Sequence, residues 1–301
     1  MFDSRHIRSF HEVVRTGSYS AAARSLGYTQ PAITQQMKAL ERSVGTVLFT
    51  RVGRRMRLTE AGEALSRHAG IILGNIDAAQ QQMNAITGLR TGRVRICAFP
   101  SANATLIPEA LSRLAASHPG VRVELQENEP PESLQRLVDG DCDVTLAFHY
   151  PGLHEDVPDE VVEIPLMEDQ LTVLLPSRHP LARRRSVRLA DLSGERWIAG
   201  CLRCRANFLH ECAEQGFRPD IAFTTDDNLV IQSLVAEGLG IAMMPGLVLN
   251  FLRHREVTGR ALDPASRRQV SAYALREHLR IPATALVLEE LKAVAANRMG
   301  C

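Results

Sequence analysis

The residues best equipped for chemistry lie between positions 201 and 212: Cys201-Leu202-Arg203-Cys204-Arg205, followed by His210 and Cys212. Flanking arginines and a nearby helix amino terminus lower a thiol pKa and favour a reactive thiolate. That suits a redox-sensing switch using Cys201, Cys204 and Cys212. The same residue types bind zinc, but helical spacing after position 204 does not clearly bring Cys201, Cys204, His210 and Cys212 together. As small apolar side chains they equally suit a core or a pocket wall. The three readings stay open on sequence alone. With Cys97, Cys142 and Cys301 the chain has six cysteines in 301 residues, too few for a secreted disulfide scaffold.

No enzyme signature accompanies them. The chain has no nucleophile elbow, no Gly-rich phosphate loop and no His-Glu-x-x-His, and its ten histidines are scattered. The expectation is a protein that is not an enzyme and has no cofactor or resident metal.

A second group of polar residues lies near the start of one predicted helix. Gln30, Thr34, Gln35 and Lys38 face outward, while Ile33, Met37, Leu40 and Val44 line the opposite face. Glutamine can bond adenine through two atoms, and lysine can reach guanine or a phosphate. The elements that must position them can be read around them. Ile7, Phe10, Val13 and Val14 mark a first helix ended by Thr16-Gly17. Ser18 caps a short second helix through Ala21, Ala22 and Ala23, stopped by Gly27, and Thr29 caps the third, with Pro31 in its first turn. Two helices joined by a tight glycine turn, the second polar near its start, have the shape that enters a major groove. Segments 47–49 and 56–58 flank Val52-Gly53-Arg54-Arg55 and predict a hairpin with a basic tip, suited to phosphates or the minor groove. The expected DNA contacts are Ser18, Thr29, Gln30, Pro31, Thr34, Gln35, Lys38, Arg51, Arg54 and Arg55. A merely solvated helix face would look similar.

Charge supports a polyanion partner for this end of the chain. Residues 1–58 hold ten Lys or Arg against three acids, whereas the remainder holds 25 basic and 31 acidic residues. No apolar run is long enough to cross a bilayer, and charges interrupt the amino terminus where a signal peptide would need an apolar stretch. The expected location is the cytoplasm, with no membrane partner.

The stretch SYSAAARSLGYTQPAITQQMKALERSVGTVLFTRVGRRMRLTEAGE resembles, nearly throughout, the helix-turn-helix and wing of the LysR-type transcriptional regulators. Gln30-Pro31-Ala32, Leu40-Glu41, Leu48-Phe49 and Leu58-Thr59-Glu60-Ala61-Gly62 carry the match. Thr34-Gln35 departs from a frequent Ser-Arg, so a common base or phosphate contact is altered. The resemblance continues through Asp141-Cys142-Asp143-Val144, Leu174-Leu175-Pro176, His179-Pro180-Leu181 and Gly238-Leu239-Gly240-Ile241, and covers almost the whole chain. It implies a multidomain protein: an all-α winged helix-turn-helix with a long linker helix, then an α/β two-lobed domain like a periplasmic binding protein. It also implies double-stranded DNA, a small-molecule effector, RNA polymerase and a second copy of the chain as partners, with dimers often paired into tetramers. A solute receptor that binds no DNA would fit the second half but leaves residues 1–58 unexplained.

Between the two parts, Thr59 caps a predicted helix to about position 87. Leu65, Ala69, Ile72, Ile76, Ala79, Met83 and Ile86 form its heptad seam, which calls for a partner helix. Packing on the chain's own second domain is the alternative. The boundaries follow as 1–58 for DNA binding, 59–91 for the linker and 92–301 for the effector domain, with one lobe at about 92–163 and 266–301 and the other at about 164–265.

From Gly92 onward short strands alternate with helices, predicting lobes with largely parallel sheets. Strands are expected at 93–99, 121–126, 144–148, 171–175, 197–198, 221–224, 241–244 and 269–275, and helices at 105–117, 133–138, 207–215, 229–236 and 283–296. Ligands bind beyond strand carboxyl ends in such sheets. That rule selects Ser101, Asn103, Thr105, His149, Cys201, Arg203 and Asp226, beside Ala102, Tyr150, Asp227 and Asn228. Hydroxyls and one arginine suit a small carboxylate, although Asp226 and Asp227 would repel a dianion; helix capping would explain the same residues.

Overall fold

In the computed structural model, residues 2–52, 55–86, 92–152 and 157–299 are described. The first three helices are α1 (Ser4–Thr16), α2 (Tyr19–Leu26) and α3 (Gln30–Val44). Each begins where a side chain accepts an early backbone N–H: Asp3 for α1, Ser18 for α2 and Thr29 for α3. The turn between α2 and α3 needs the left-handed φ of +69° at Gly27, which a side chain would strain. Ala22 and Ala23 let the helices meet over Phe10, Ile33, Met37 and Leu40, all buried. Strands β1 (Phe49–Val52) and β2 (Arg55–Leu58) pair antiparallel, Phe49 opposite Leu58. Glu41 locks this hairpin to α3 by accepting the Leu48 N–H at 2.9 Å. The tip residue Arg54 lies outside the described residues.

Helix α4 (Glu60–Ile86) is capped by Thr59, whose Oγ1 accepts the Gly62 N–H at 3.1 Å. The predicted seam divides along it. Leu65 and Ala69 enter the core of the DNA-binding head, whereas Ile76 and Met83 are 43% and 51% exposed. Between these halves α4 docks on the second domain. A Cβ built on Gly70 would lie 2.2 Å from the carbonyl of Asp139, and one on Gly74 3.1 Å from His278 Nε2.

In the second domain, β3 (Arg93–Ala98), α5 (Pro100–Asn103), α6 (Leu106–Ser117), β4 (Arg122–Glu127), α7 (Glu132–Val138) and β5 (Val144–His149) come first. Next are β6 (Val161–Pro176), β7 (Ser186–Val187), β8 (Arg196–Ala199), α8 (Leu202–Glu214), β9 (Asp220–Thr224), α9 (Asn228–Ala236), β10 (Ile241–Pro245), α10 (Gly246–Leu249) and β11 (Val257–Leu262). Strand β12 (Arg267–Leu275) and α11 (Pro282–Met299) return the chain to the first half. The strand path is β4-β3-β5-β12-β6-β10-β8-β9. The expected parallel pairing holds for β3 with β4 and β5, and for β10 with β8 and β8 with β9. It fails at the centre, where β6 and β12 run antiparallel and cross between the halves. Strand β6 was expected only at 171–175; Glu163, Pro165 and Glu168 hide its earlier half. Strand β11 was not expected, and α8 begins five residues before the predicted position 207 because Cys201 caps it.

At the crossing, Arg268 and Asp169 sit directly opposite one another, 2% and 3% exposed, with an ion pair of 2.8 Å. Arg268 also donates to Ser101 Oγ at 2.9 Å and lies over the rings of Phe99 and Phe148 at 5.0 and 4.4 Å. Asp169 accepts the Leu247 N–H at 2.9 Å. One buried pair thus joins α5 of one half to α10 of the other.

Asp169→Ala would leave Arg268 buried without its carboxylate. The expected loss is about 3–5 kcal/mol, read by urea unfolding through Trp197, the single tryptophan. The paired replacement Arg268→Met with Asp169→Leu should recover most of that loss. A single variant as stable as the parent would contradict this account.

Candidate functional site

Two places gather the residues singled out by sequence. The first is the start of α3. Ser18 and Thr29 spend their oxygens on capping, each accepting a backbone N–H at 3.4 Å. Gln30 Oε1 accepts from Ser20 Oγ at 3.1 Å, which fixes its amide, and Thr34 Oγ1 donates back to the Gln30 carbonyl at 3.0 Å. Pro31, Gln35 and Lys38 are exposed on the same outward surface. Arg51 and Arg55 lie on the two strands of the hairpin beside it. The resulting surface presents amide and ammonium groups on a helix held rigidly from behind, as reading base edges requires.

The second place is a cleft between the halves of the second domain, lined by Ser101, Glu129, Cys201, Cys204, Asp226, Asn228, Met243, Met244, Val248 and Arg268. It is small. Its free space of ≈ 40 Å³ would hold roughly three water molecules. Of the seven expected effector residues, the structure brings Ser101, Cys201 and Asp226 here. Thr105 stands one layer behind, its hydroxyl donating to the Ser101 carbonyl at 2.6 Å. Asn103 turns to the Ala98 carbonyl at 3.1 Å and to Glu127 at 3.3 Å. His149 pairs with Glu163 at 3.2 Å, and Arg203 is absent from the lining. Strand parity turns His149 away and the α8 register Arg203, while Asn103 and Thr105 are held off by the hydrogen bonds just given. Of the neighbouring candidates, Asn228 lines the cleft and Asp227 caps α9.

Sequence reasoning missed Glu129 and Arg268. Arg268 carried a signal: it shares strand parity with Val270, and Asp169 with Leu171 and Val173, all buried positions. Glu129 sits in a loop without periodicity and offered none. Its Oε2 is buried without a hydrogen-bond partner, and burial together with the nearby Cys204 pushes its carboxyl up to about 7.

Cys201 caps α8, its sulfur accepting the Cys204 N–H at 3.3 Å. Its thiol also donates to Cys204 Sγ at 2.8 Å. That hydrogen bond, with Arg268 and the Tyr150 hydroxyl nearby, pulls the Cys204 thiol down to about 7, while Cys201 is pushed up by the same pairing and by burial. Cys212 lies in the core, pushed up to about 12 by burial. Among the described residues no three His, Cys, Asp or Glu side chains converge as metal ligands, so His210 and Cys212 do not complete a zinc site with the other two.

Comparison with known proteins places both regions. The profile described as "Bacterial regulatory helix-turn-helix protein, lysR family" matches residues 4–63, and that described as "LysR substrate binding domain" matches residues 87–296. The SDS degradation transcriptional activation protein of a Pseudomonas species is 31% identical over 282 residues, covering 91% of this chain and 90% of its own. Two solved structures share the fold. A full-length OxyR variant of Pseudomonas aeruginosa aligns with a TM-score of 0.77 at 19% identity, covering 98% and 97% of the two chains. CbnR complexed with its target DNA aligns at 0.62 and 21%, covering 97% and 100%.

Because burial raises the Glu129 carboxyl above its ordinary 4.5, the fold resists its ionisation, and stability falls as pH rises from about 4.5 to about 7. Glu129→Gln should therefore leave the melting temperature unchanged at pH 5 and raise it by roughly 4 °C at pH 8. Equal shifts at both pH values would sink this assignment.

Proposed function

The chain belongs to the LysR family of transcriptional regulators, and from that premise we propose that it reads a specific operator through α3 and the β1–β2 hairpin. The exposed Gln35 and Lys38, with Gln30 and Thr34 fixed beside them, supply base and phosphate contacts, and Arg51, Arg54 and Arg55 hold the backbone. The observation that carries this reading is the basic head with a capped, outward-polar α3, matched by the family profile over residues 4–63.

The heptad seam of α4 beyond Gly74, with the exposed Ile76, pairs with the same helix of a second copy, and two such dimers form a tetramer. Such pairing would place two heads on one DNA, which explains the heptad spacing of so long a helix. We place the protein in the cytoplasm with its DNA. A small molecule in the cleft shifts the two halves of the effector domain, which alters the bend of the bound DNA and contact with RNA polymerase. A carboxylate effector draws support from Arg268 and Ser101 Oγ, but Arg268 is already neutralised by Asp169, and Glu129 and Asp226 face the same space. A small uncharged hydrogen-bonding molecule fits the cleft better.

Mobility-shift titration with DNA from the region upstream of the protein's own coding sequence tests the first part. Lys38→Ala should lower the slope of log affinity against log salt by about 1, and Gln35→Ala should cost about 1–3 kcal/mol at one base position. Binding no tighter than to unrelated DNA would count against that operator. For the second part, Asp226→Trp fills the cleft from its exposed rim. It should change the footprint or DNA bend without changing the salt slope, and an unaltered bend and transcript level would reject control through this cleft.

A further inference from the structure

We propose that a small organic cation bearing primary ammonium groups binds in a second cavity of the effector domain, where α8 faces the connection from β11 to β12. The site is separate from the cleft and does not depend on the reading of that cleft.

Four observations converge. The cavity offers ≈ 380 Å³ of free space against ≈ 40 Å³ in the cleft, so it takes a molecule of several heavy atoms. Its wall includes Asn207, which is only 3% exposed. The Asn207 Nδ2 donates to Glu211 Oε1 at 2.7 Å, but its Oδ1 accepts no hydrogen bond among the described residues, a costly state for a buried amide oxygen. Glu211, Glu214 and Asp263 line the same space, whereas the guanidinium of Arg267 is taken by Glu168 at 2.9 Å. Lastly, the carbonyl end of a helix favours cations, yet the last turn of α8 holds Glu211 and Glu214 and no basic residue. Open acceptors and negative charge thus gather where a bound cation would relieve both.

The acceptors suit an amine better than a metal ion. Among the described residues no three His, Cys, Asp or Glu side chains converge on one point as metal ligands do. An ammonium group instead carries several N–H donors, each of which can meet a separate oxygen. Asn207 and Ser266 both donate to Glu211 Oε1, so its Oε2 is left for the guest. The place of the cavity gives its occupation a consequence. Helix α8 begins at the cleft and belongs to the second half, while Ser266 leads into β12, which crosses to the first half and carries Arg268. A cation held by both Glu214 and Asp263 ties α8 to that connection and favours one disposition of the halves.

The test titrates 1,4-diaminobutane into the full-length protein without DNA, by isothermal calorimetry at constant ionic strength, with butane-1,4-diol as the uncharged analogue. One saturable site is expected, with the diol roughly tenfold weaker or more. Glu214→Gln and Asp263→Asn, both at exposed positions, should each weaken the diamine by about threefold. Glu211→Gln should weaken it by roughly tenfold; if that variant does not fold, the two exposed ones carry the test. Asp226→Trp, which fills the cleft, should bind the diamine as the parent does. A loss of binding in Asp226→Trp would place the amine in the cleft and overturn the proposal while leaving the cleft reading intact. No saturable binding, equal binding of the diol, or full affinity in the combined Glu214→Gln and Asp263→Asn variant would overturn it as well.

Discussion

The effector domain depends on one constraint: an arginine and an aspartate face each other in the interior of its sheet, both almost wholly withdrawn from bulk solvent. Burying the charges of Arg268 and Asp169 is costly unless each is paired and hydrogen-bonded. The surrounding geometry meets that demand with Ser101 Oγ, the Leu247 N–H and the faces of Phe99 and Phe148. Because these partners come from both halves of the domain, the pair fixes how the halves meet. It also sets the character of the cleft beside it, since a cation already matched by Asp169 has little attraction left for an anionic guest.

The DNA-binding head obeys a different economy. Its core is small, and what holds α3 in place is mostly local: Thr29 capping its start, Gly27 turning the chain into it, and Glu41 holding the hairpin alongside. Side chains that cap have spent that oxygen on the backbone, so the outward groups of α3 not engaged in capping stand one turn further on. The excess of positive charge is confined to this head, while the remainder of the chain is mildly acidic.

How far the sequence could be read depended on whether a residue's role was written into a period. The α1–α3 helices, their caps and the hairpin followed from spacing and from Ser18, Gly27 and Thr29. Most strands of the effector domain were visible as apolar runs. What escaped was the crossing architecture. Strand β6 mixes Glu163, Pro165 and Glu168 with its apolar residues because it changes neighbours midway, so its burial pattern follows no single alternation. The cleft was legible by half for a related reason. Ser101, Cys201 and Asp226 stand at strand ends where a general rule looks for them, but Glu129 comes from an irregular loop. Arg268 resembles a surface residue beside Arg267 until its partner across the sheet is known. Thr105, Asn103, His149 and Arg203 obeyed the rule about strand ends and missed the cleft, since that rule places backbones and says nothing of where a side chain turns.

One contact of α4 with the effector domain is made of backbone. At Gly70 the helix rests against Asp139 and Gly140 with no side chain between them, so there is no flexible group to absorb a displacement. About 15 Å of helix lies between that point and the start of α4 at Glu60, and about 24 Å between it and the end at Ile86. The helix is therefore a seesaw on a hard fulcrum. A tilt too small to notice at the pivot carries the two ends of the helix in opposite directions, and with the first of them the DNA-binding head packed along it.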